Sequence, residues 1–216
     1  LWNNGASRAG QRLTISNRHV NTLSFYLSKT RTPPGQIQWQ IFKLTGAFPG
    51  TLIDTVTFMN CDDVTTSPVL YTATMNNIVI NEEVRIVVAP TSLDNTNKLF
   101  VHYQNSDVKA SEYFTYGVGS WTNDTLSDCA YQYAYNEVTT VTTNAATLIH
   151  SNTALHSGTL SGSNAISRGF VWDTVTRADP GNTAPSASLY ANNWTENGSF
   201  GASTFTNTAT SLLENT

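Results

Sequence analysis

"VNTLSFYLSKTRTPPGQIQWQIFKL", residues 20–44, decides the fold class. Leu23, Phe25 and Leu27 alternate with Thr22, Ser24, Tyr26 and Ser28, the two-residue period of a strand with one buried face. Pro33-Pro34-Gly35 then supplies turn chemistry. The alternation resumes with Ile37, Trp39 and Ile41 inward and Gln36, Gln38 and Gln40 outward. Phe42 breaks the phase, which implies a bulge or an exit from the sheet.

The same pattern continues outward from this stretch. "GAFPG" (46–50) is the next turn, and "TLIDTVTFM" (51–59) the next strand. "SPVLYTATM" (67–75) reads as a weaker edge strand. "EEVRIVVAP" (82–90) and "NKLFVHYQ" (97–104) are apolar, β-branched runs around the polar loop "TSLDNTN". "DCAYQYAYN" (128–136) closes the series, with Cys129 in phase with Tyr131, Tyr133 and Tyr135 and so facing a core. Strands of this length and spacing predict a sandwich or jelly roll.

Composition agrees. The 216 residues include 33 Thr and 22 Asn, which suit pleated surfaces and turns respectively. Charged residues are only 12%, about half the usual share. The net charge of −4 and the scattered Lys and Arg argue against nucleic acid or an anionic membrane as a partner. No apolar run approaches the roughly 18 residues of a membrane-spanning helix. Leu1 in place of Met implies a processed product or a piece of a longer chain.

The polar, Thr-rich "NEVTTVTTNAA" (136–146) marks a boundary, giving domains 1–136 and 137–216. In the second, "AISRGFVWDT" (165–174) reads as a strand with Ile166, Phe170 and Trp172 in register. Trp172 there is core, although Arg168 and Asp173 beside it invite a reading as a site. With four or five strands in about 80 residues, this domain is smaller than a seven-stranded sandwich.

Candidate binding chemistry is sparse. Aromatic faces stack on sugar rings, and Trp121, in a loop before the final strand, is one candidate platform. Trp194 and nearby Tyr190, in the polar loop "YANNWTENGS", are the others. "NCDD" (60–63) is the best oxygen-ligand cluster, with Asp62 and Asp63 as calcium candidates and Asp94 and Asp128 as partners from other loops. Its plainer reading is a solvated turn whose carboxylates cap loop amides. Cys61 and Cys129 are either one disulfide or two buried free thiols. The four His residues lack metal-ligand spacing, and no "GxSxG" nucleophile motif occurs.

Two resemblances extend this reading. "LSFYLSKTRTPPGQIQWQIFKLTGAFPG", "VRIVVAPTS" and "SWTNDTLSDCAYQYAY" together resemble jelly-roll modules of bacterial surface proteins and phage virion proteins, over about 120 residues. "TNAATLIHSNTALHSGTLSGSNAISRGFVWDT" and "GSFGASTFTNTATSLLENT" resemble fibronectin type III-like repeats with an "rGFvwgt" strand. The second resemblance implies an incomplete sandwich, whose two C-terminal strands are absent.

The resulting expectation is an all-β chain. It has a jelly-roll-like β-sandwich followed by a smaller, incomplete immunoglobulin/fibronectin-like one. Its function is that of a non-catalytic structural or adhesion protein, extracellular or on a virion surface, binding copies of itself, other surface proteins or glycans. The alternatives are an accessory region of a secreted polysaccharide-degrading enzyme, or a subunit of a strand-exchanged filament in which a neighbour completes the second sheet.

Overall fold

The computed structural model describes residues 7–92, 96–162, 165–181 and 183–212. The protein is all-β, with antiparallel pairing throughout the registers described. It divides into two compact units, Leu1–Asn136 and Glu137–Thr216.

Among the described residues unit 1 carries eleven strands. They are β1 (Arg8–Thr30), β2 (Gln36–Lys43), β3 (Leu52–Asn60), β4 (Val69–Thr74), β5 (Val79–Pro90), β6 (Lys98–Val101), β7 (Tyr103–Gln104), β8 (Tyr113–Gly117), β9 (Trp121–Asp124), β10 (Asp128–Cys129) and β11 (Tyr131–Glu137). The stretch 20–29 is only the second half of β1, a strand of 23 residues. Residues 8–19 of β1 pair with β5 and β8, and residues 22–30 pair with β4 and β6. The change of partners follows a bulge, where the register against β5 shifts between Ile15 and Arg18. Asn17 occupies that bulge at φ 52°, a conformation that Asn tolerates better than most residues.

One strand thus serves two layers. Leu13 and Ile15 from its first half, and Leu23, Phe25 and Leu27 from its second, enter one core with Ile37, Trp39 and Ile41 of β2 and Val84, Ile86 and Val88 of β5. Phe25 lies 6.1 Å from Trp39, although their strands belong to different partner sets. The layers therefore face each other as a β-sandwich. Gly35, at φ +80°, turns the chain from β1 into β2. Gly10 is required by close packing, because a Cβ there would stand 2.0 Å from the carbonyl oxygen of Ile86.

Two outward positions differ from the simple alternation. Gln40 is only 6% exposed. It is held by a polar chain in which Arg8 Nε donates to Gln40 Oε1 (3.1 Å) and Gln40 Nε2 donates to Gln38 Oε1 (2.9 Å). Phe42 stays in β2, in line with Gln38 and Gln40, and keeps regular register against β5. The irregularity lies opposite β3, where the register shifts between Ile41 and Phe42. Its ring is buried on the far face of the sheet, 6.5 Å from Trp121.

Gln11 is the exception inside the core, polar and fully buried in line with Ala9 and Leu13. Its Nε2 donates to Asp128 Oδ1 (2.5 Å), and its Oε1 accepts the Cys129 N–H (2.7 Å). Asp128 Oδ2 accepts the backbone N–H groups of Val108 (2.7 Å) and Lys109 (2.9 Å). The network is thus closed, with β1 fastened to β10 and to the 105–112 loop.

Unit 2 is smaller. A sheet of β12 (Thr140–Thr147), β13 (Ala154–Ser161) and β16 (Ser203–Ala209) faces a hairpin of β14 (Ala165–Trp172) and β15 (Asn192–Phe200). Leu160, Phe170 and Phe205 form the buried centre, and Trp172, Trp194 and Phe200 pack around it half-buried. Ile166 departs from the expected register and is 80% exposed. The β14–β15 register shifts between Ala165 and Ser167, and that bulge turns Ile166 to solvent. Among the described residues β14 is paired on one edge only.

His156 stands edge-on to Phe170 (5.5 Å) and Trp172 (5.4 Å), and its Nδ1 is buried with no partner among the described residues. Burial lowers its pKa. The folded state therefore resists a proton that the unfolded chain accepts. The stability of unit 2 is expected to be full above about pH 6.5 and to fall below it. Denaturant titrations from pH 8 to 5 should show that slope, and His156→Phe should remove it. For unit 1, Gln11→Leu strands the Asp128 carboxylate and the Cys129 amide. It is expected to lower stability by about 2–4 kcal/mol in urea titrations.

Candidate functional site

The site is built where three segments of unit 1 meet. The His102 N–H donates to Tyr26 O (3.0 Å), the Tyr26 N–H to Ala130 O (3.1 Å), and the Ala130 N–H to His102 O (2.9 Å). From this knot β11 runs on beside β1. Tyr131, Tyr133 and Tyr135 recur at every second position of β11 and share one side of it. Tyr131 and Tyr133 are half-buried against the core, whereas Tyr135 is 37% exposed. The alternation expected from sequence is present, but the tyrosine row passes from the core edge into an open groove.

That groove has a volume of about 720 Å³, within the usual range of small-ligand sites. Its walls carry Tyr26, Tyr131, Tyr133 and Tyr135, with Arg18, Lys109, Gln104 and Gln132 also bordering it. The rings of Tyr131 and Tyr133 are parallel to within 4° at 6.4 Å, and Tyr135 follows at 5.5 Å. Arg18 fixes one end. Its Nη1 donates to Tyr133 Oη (2.6 Å), and its guanidinium lies 3.8 Å from the Tyr135 ring centre. Lys109 fixes the other, paired with Glu112 Oε1 (3.2 Å) and set over the Tyr131 ring at 5.6 Å.

The Tyr131 hydroxyl donates to Glu112 Oε2. Burial first, then that bond and the Glu112 charge, push the phenol pKa up, so Tyr131 remains a protonated donor. Asp128 borders the groove, but both carboxylate oxygens are committed to the Gln11 network. The arrangement offers aromatic faces and two cations. Sequence spacing placed the tyrosines together and missed the groove, because Arg18 and Lys109 arrive from distant segments.

The residues singled out from sequence have other placements. Trp121 is the first residue of β9 rather than part of a loop. Its Nε1 donates to Pro49 O (2.8 Å), and its ring meets Phe48 at 5.2 Å and the Arg85 guanidinium at 4.9 Å. Trp194 likewise sits in a strand, β15, stacked on Phe170 at 6.0 Å over the unit 2 core. Tyr190 lies in the preceding turn, its hydroxyl 3.5 Å from Arg177 O. Among the described residues no ring contact joins Tyr190 to Trp194, so the two do not form one platform.

Arg168 and Asp173 are structural. Arg168 Nε pairs with Glu196 Oε2 (2.8 Å) and its guanidinium covers the Phe200 ring at 4.2 Å. Asp173 accepts Arg177 Nε and the amides of Thr174, Val175 and Ala191. That Arg177 bond, ahead of the amides, pulls the Asp173 pKa down to about 2.

The calcium candidates are occupied by protein groups. Asp62 is ion-paired with Lys29, and Asp63 Oδ2 accepts Asn60 Nδ2 (3.0 Å). Asp94 lies outside the described residues. Among the described residues no group of three or more His, Cys, Asp or Glu converges on a metal site. Cys61 and Cys129 are free thiols, both buried, rather than a bridge. Cys61 sits in a turn after β3, whereas Cys129 in β10 directs its Sγ to His102 O (3.6 Å).

No known protein family, curated protein or solved structure matches the chain.

Burial raises the Cys61 pKa to about 11 and raises that of Cys129 as well. Both thiols are therefore expected to be silent to a thiol-exchange reagent at pH 8 in the native protein and to react fully in denaturant. A reductant should leave the unfolding midpoint unchanged.

Proposed function

We propose that the protein is a non-catalytic structural or adhesion component of an extracellular or virion surface, and that unit 1 binds glycans in the tyrosine-lined groove. The observation that carries this reading is the row Tyr131, Tyr133 and Tyr135 held between Arg18 and Lys109. Aromatic faces accept the C–H faces of pyranose rings, and Gln104, which borders the groove, carries an amide that both donates to and accepts from hydroxyls. The rings are already fixed by Arg18, Glu112 and Lys109, so little ordering entropy remains to be lost on binding.

The sandwich with a strand shared between layers supports the jelly-roll reading of unit 1. The β12–β13–β16 sheet facing a β14–β15 hairpin supports a fibronectin-like reading of unit 2. A second reading, assembly by strand addition, draws on the edge of β14 that no described residue pairs and on the exposed Ile166 beside it.

A glycan panel tests the main reading. Binding is expected, and Tyr135→Ala and Arg18→Ala should each weaken it about tenfold, the effect of losing a stacking or cation–π partner. A silent panel, or binding untouched by both variants, removes the groove from the function. Sedimentation over a wide concentration range tests assembly. Self-association sensitive to Ile166→Asp would favour strand addition, and a monomer at all concentrations would remove it.

A further inference from the structure

The outer face of the unit 1 sheet, away from the groove, holds an unusual concentration of positive charge. Arg12 of β1 stands directly opposite Arg85 of β5. Like charges placed opposite each other across strands destabilise a sheet. Arg8 lies on the same face, four residues before Arg12, with Gly10 contributing no side chain between them. Phe42 is the neighbour of Arg85 on the other side, and Trp121 pairs with Gly117, which pairs with Arg8. Three guanidiniums, from Arg8 and Arg12 of β1 and Arg85 of β5, thus share one side of the sheet, with Phe42 of β2 and Trp121 of β9 beside them.

Among the described residues, one carboxylate is hydrogen-bonded to them. Glu83 is taken in a two-pronged contact by Arg12, with Nε to Oε1 at 2.8 Å and Nη2 to Oε2 at 3.1 Å. Arg85 is 7% exposed, and its Nε has no acceptor among the described residues. Glu83, two residues along β5, is the acidic charge that acts on Arg85, and it is already bonded to Arg12. A buried guanidinium N–H left without an acceptor is unfavourable. Burial first, then Arg12, lowers the pKa of Arg85, with Glu83 acting in the opposite direction. Arg8 has the same burial-driven shift and, among the described residues, Gln40 and Ser7 as hydrogen-bond acceptors.

The guanidiniums are nevertheless held in place. Arg85 lies over the Trp121 ring at 4.9 Å, and Trp121 is itself anchored on Pro49 O. Arg8 lies 5.6 Å from the Phe42 ring centre and 5.8 Å from that of Phe48. Stacking occupies the faces of a guanidinium and leaves its N–H edge for an in-plane acceptor.

We propose that this face binds a single oxyanion group, with Arg85 and Arg8 as its ligands and Arg12 as a supporting charge. The group is a sulfate, phosphate or carboxylate, the planar or tetrahedral oxyanions that guanidinium forks recognise. It is carried either on an acidic sugar or as a free inorganic ion. The site is separate from the tyrosine groove and does not rest on the reading of that groove.

The test uses the full chain and inorganic sulfate, compared with chloride at equal ionic strength. Sulfate is expected to raise the thermal midpoint saturably and to give a measurable binding heat. Arg8→Met and Arg85→Met should each weaken that response about tenfold, as expected for loss of a charge-assisted contact. Should Arg85→Met fail to fold, Arg8→Met decides alone. A wild-type response no larger than in chloride overturns the proposal, as does an equal response in Arg8→Met. A sulfated disaccharide and its unsulfated counterpart then separate the sources. Tighter binding of the sulfated sugar than of free sulfate assigns the site to an acidic glycan, and equal binding assigns it to the inorganic ion.

Discussion

Gln11 is an amide sealed inside the core of a sandwich, and the rest of unit 1 is arranged around keeping it there. A buried amide without partners is strongly unfavourable. Gln11 avoids this by donating to Asp128 and accepting from the Cys129 amide, while Asp128 gathers the amides of Val108 and Lys109. Three segments, β1, the 105–112 loop and β10, are thereby fixed by one closed network. An apolar residue at position 11 would suit β1 locally but would not tell β10 where to lie. Because β11 follows β10 after a single residue, the position of Gln11 also fixes the start of the tyrosine row. Lys109, whose backbone N–H Asp128 holds, is set at the other wall.

What the sequence made legible follows from this. Alternation was readable where each strand buries apolar side chains on one face, as in residues 20–29 and 37–41. It was not readable in the first half of β1. There the core-facing positions are Ala9, Gln11, Leu13 and Ile15, and the outer ones include Gly10 and arginines. The polar residue stands inward and a glycine stands where β5 comes close, so neither face has a uniform chemistry. The strands β9 and β15 were hidden for a related reason. "WTND" and "NNWTENGSF" are polar apart from Trp121, Trp194 and Phe200, and their pairing is imposed by β8 and β14 rather than by their own propensity.

Aromatic residues were the weakest guide to function. Trp121 and Trp194 looked like platforms because their flanks are polar. Both rings are instead occupied, Trp121 by Arg85 and Phe48, and Trp194 by Phe170. The tyrosines of β11 looked like core because they are in phase with Cys129. They are the residues that line a groove, because the core ends beneath Tyr133 while the strand continues. Periodicity assigns a side chain to a face. It does not say how far along the strand that face remains covered.

A chain with so few charges uses them in a particular way. Arg8, Arg12, Arg18, Arg85, Lys109 and Arg168 all lie against aromatic rings, so at least six of the eleven basic residues make cation–π contacts. Such contacts hold a cation by its apolar face and leave its polar edge available. They also act over a short range, unlike the long-range field of a dense basic patch. A surface of this kind does not gather a polyanion from a distance. A ligand at such cations would be held by stacking and by a few directed hydrogen bonds. In the displayed surface component proposed above, many weak sites of this kind would act together, with affinity coming from multiplicity rather than from any single contact.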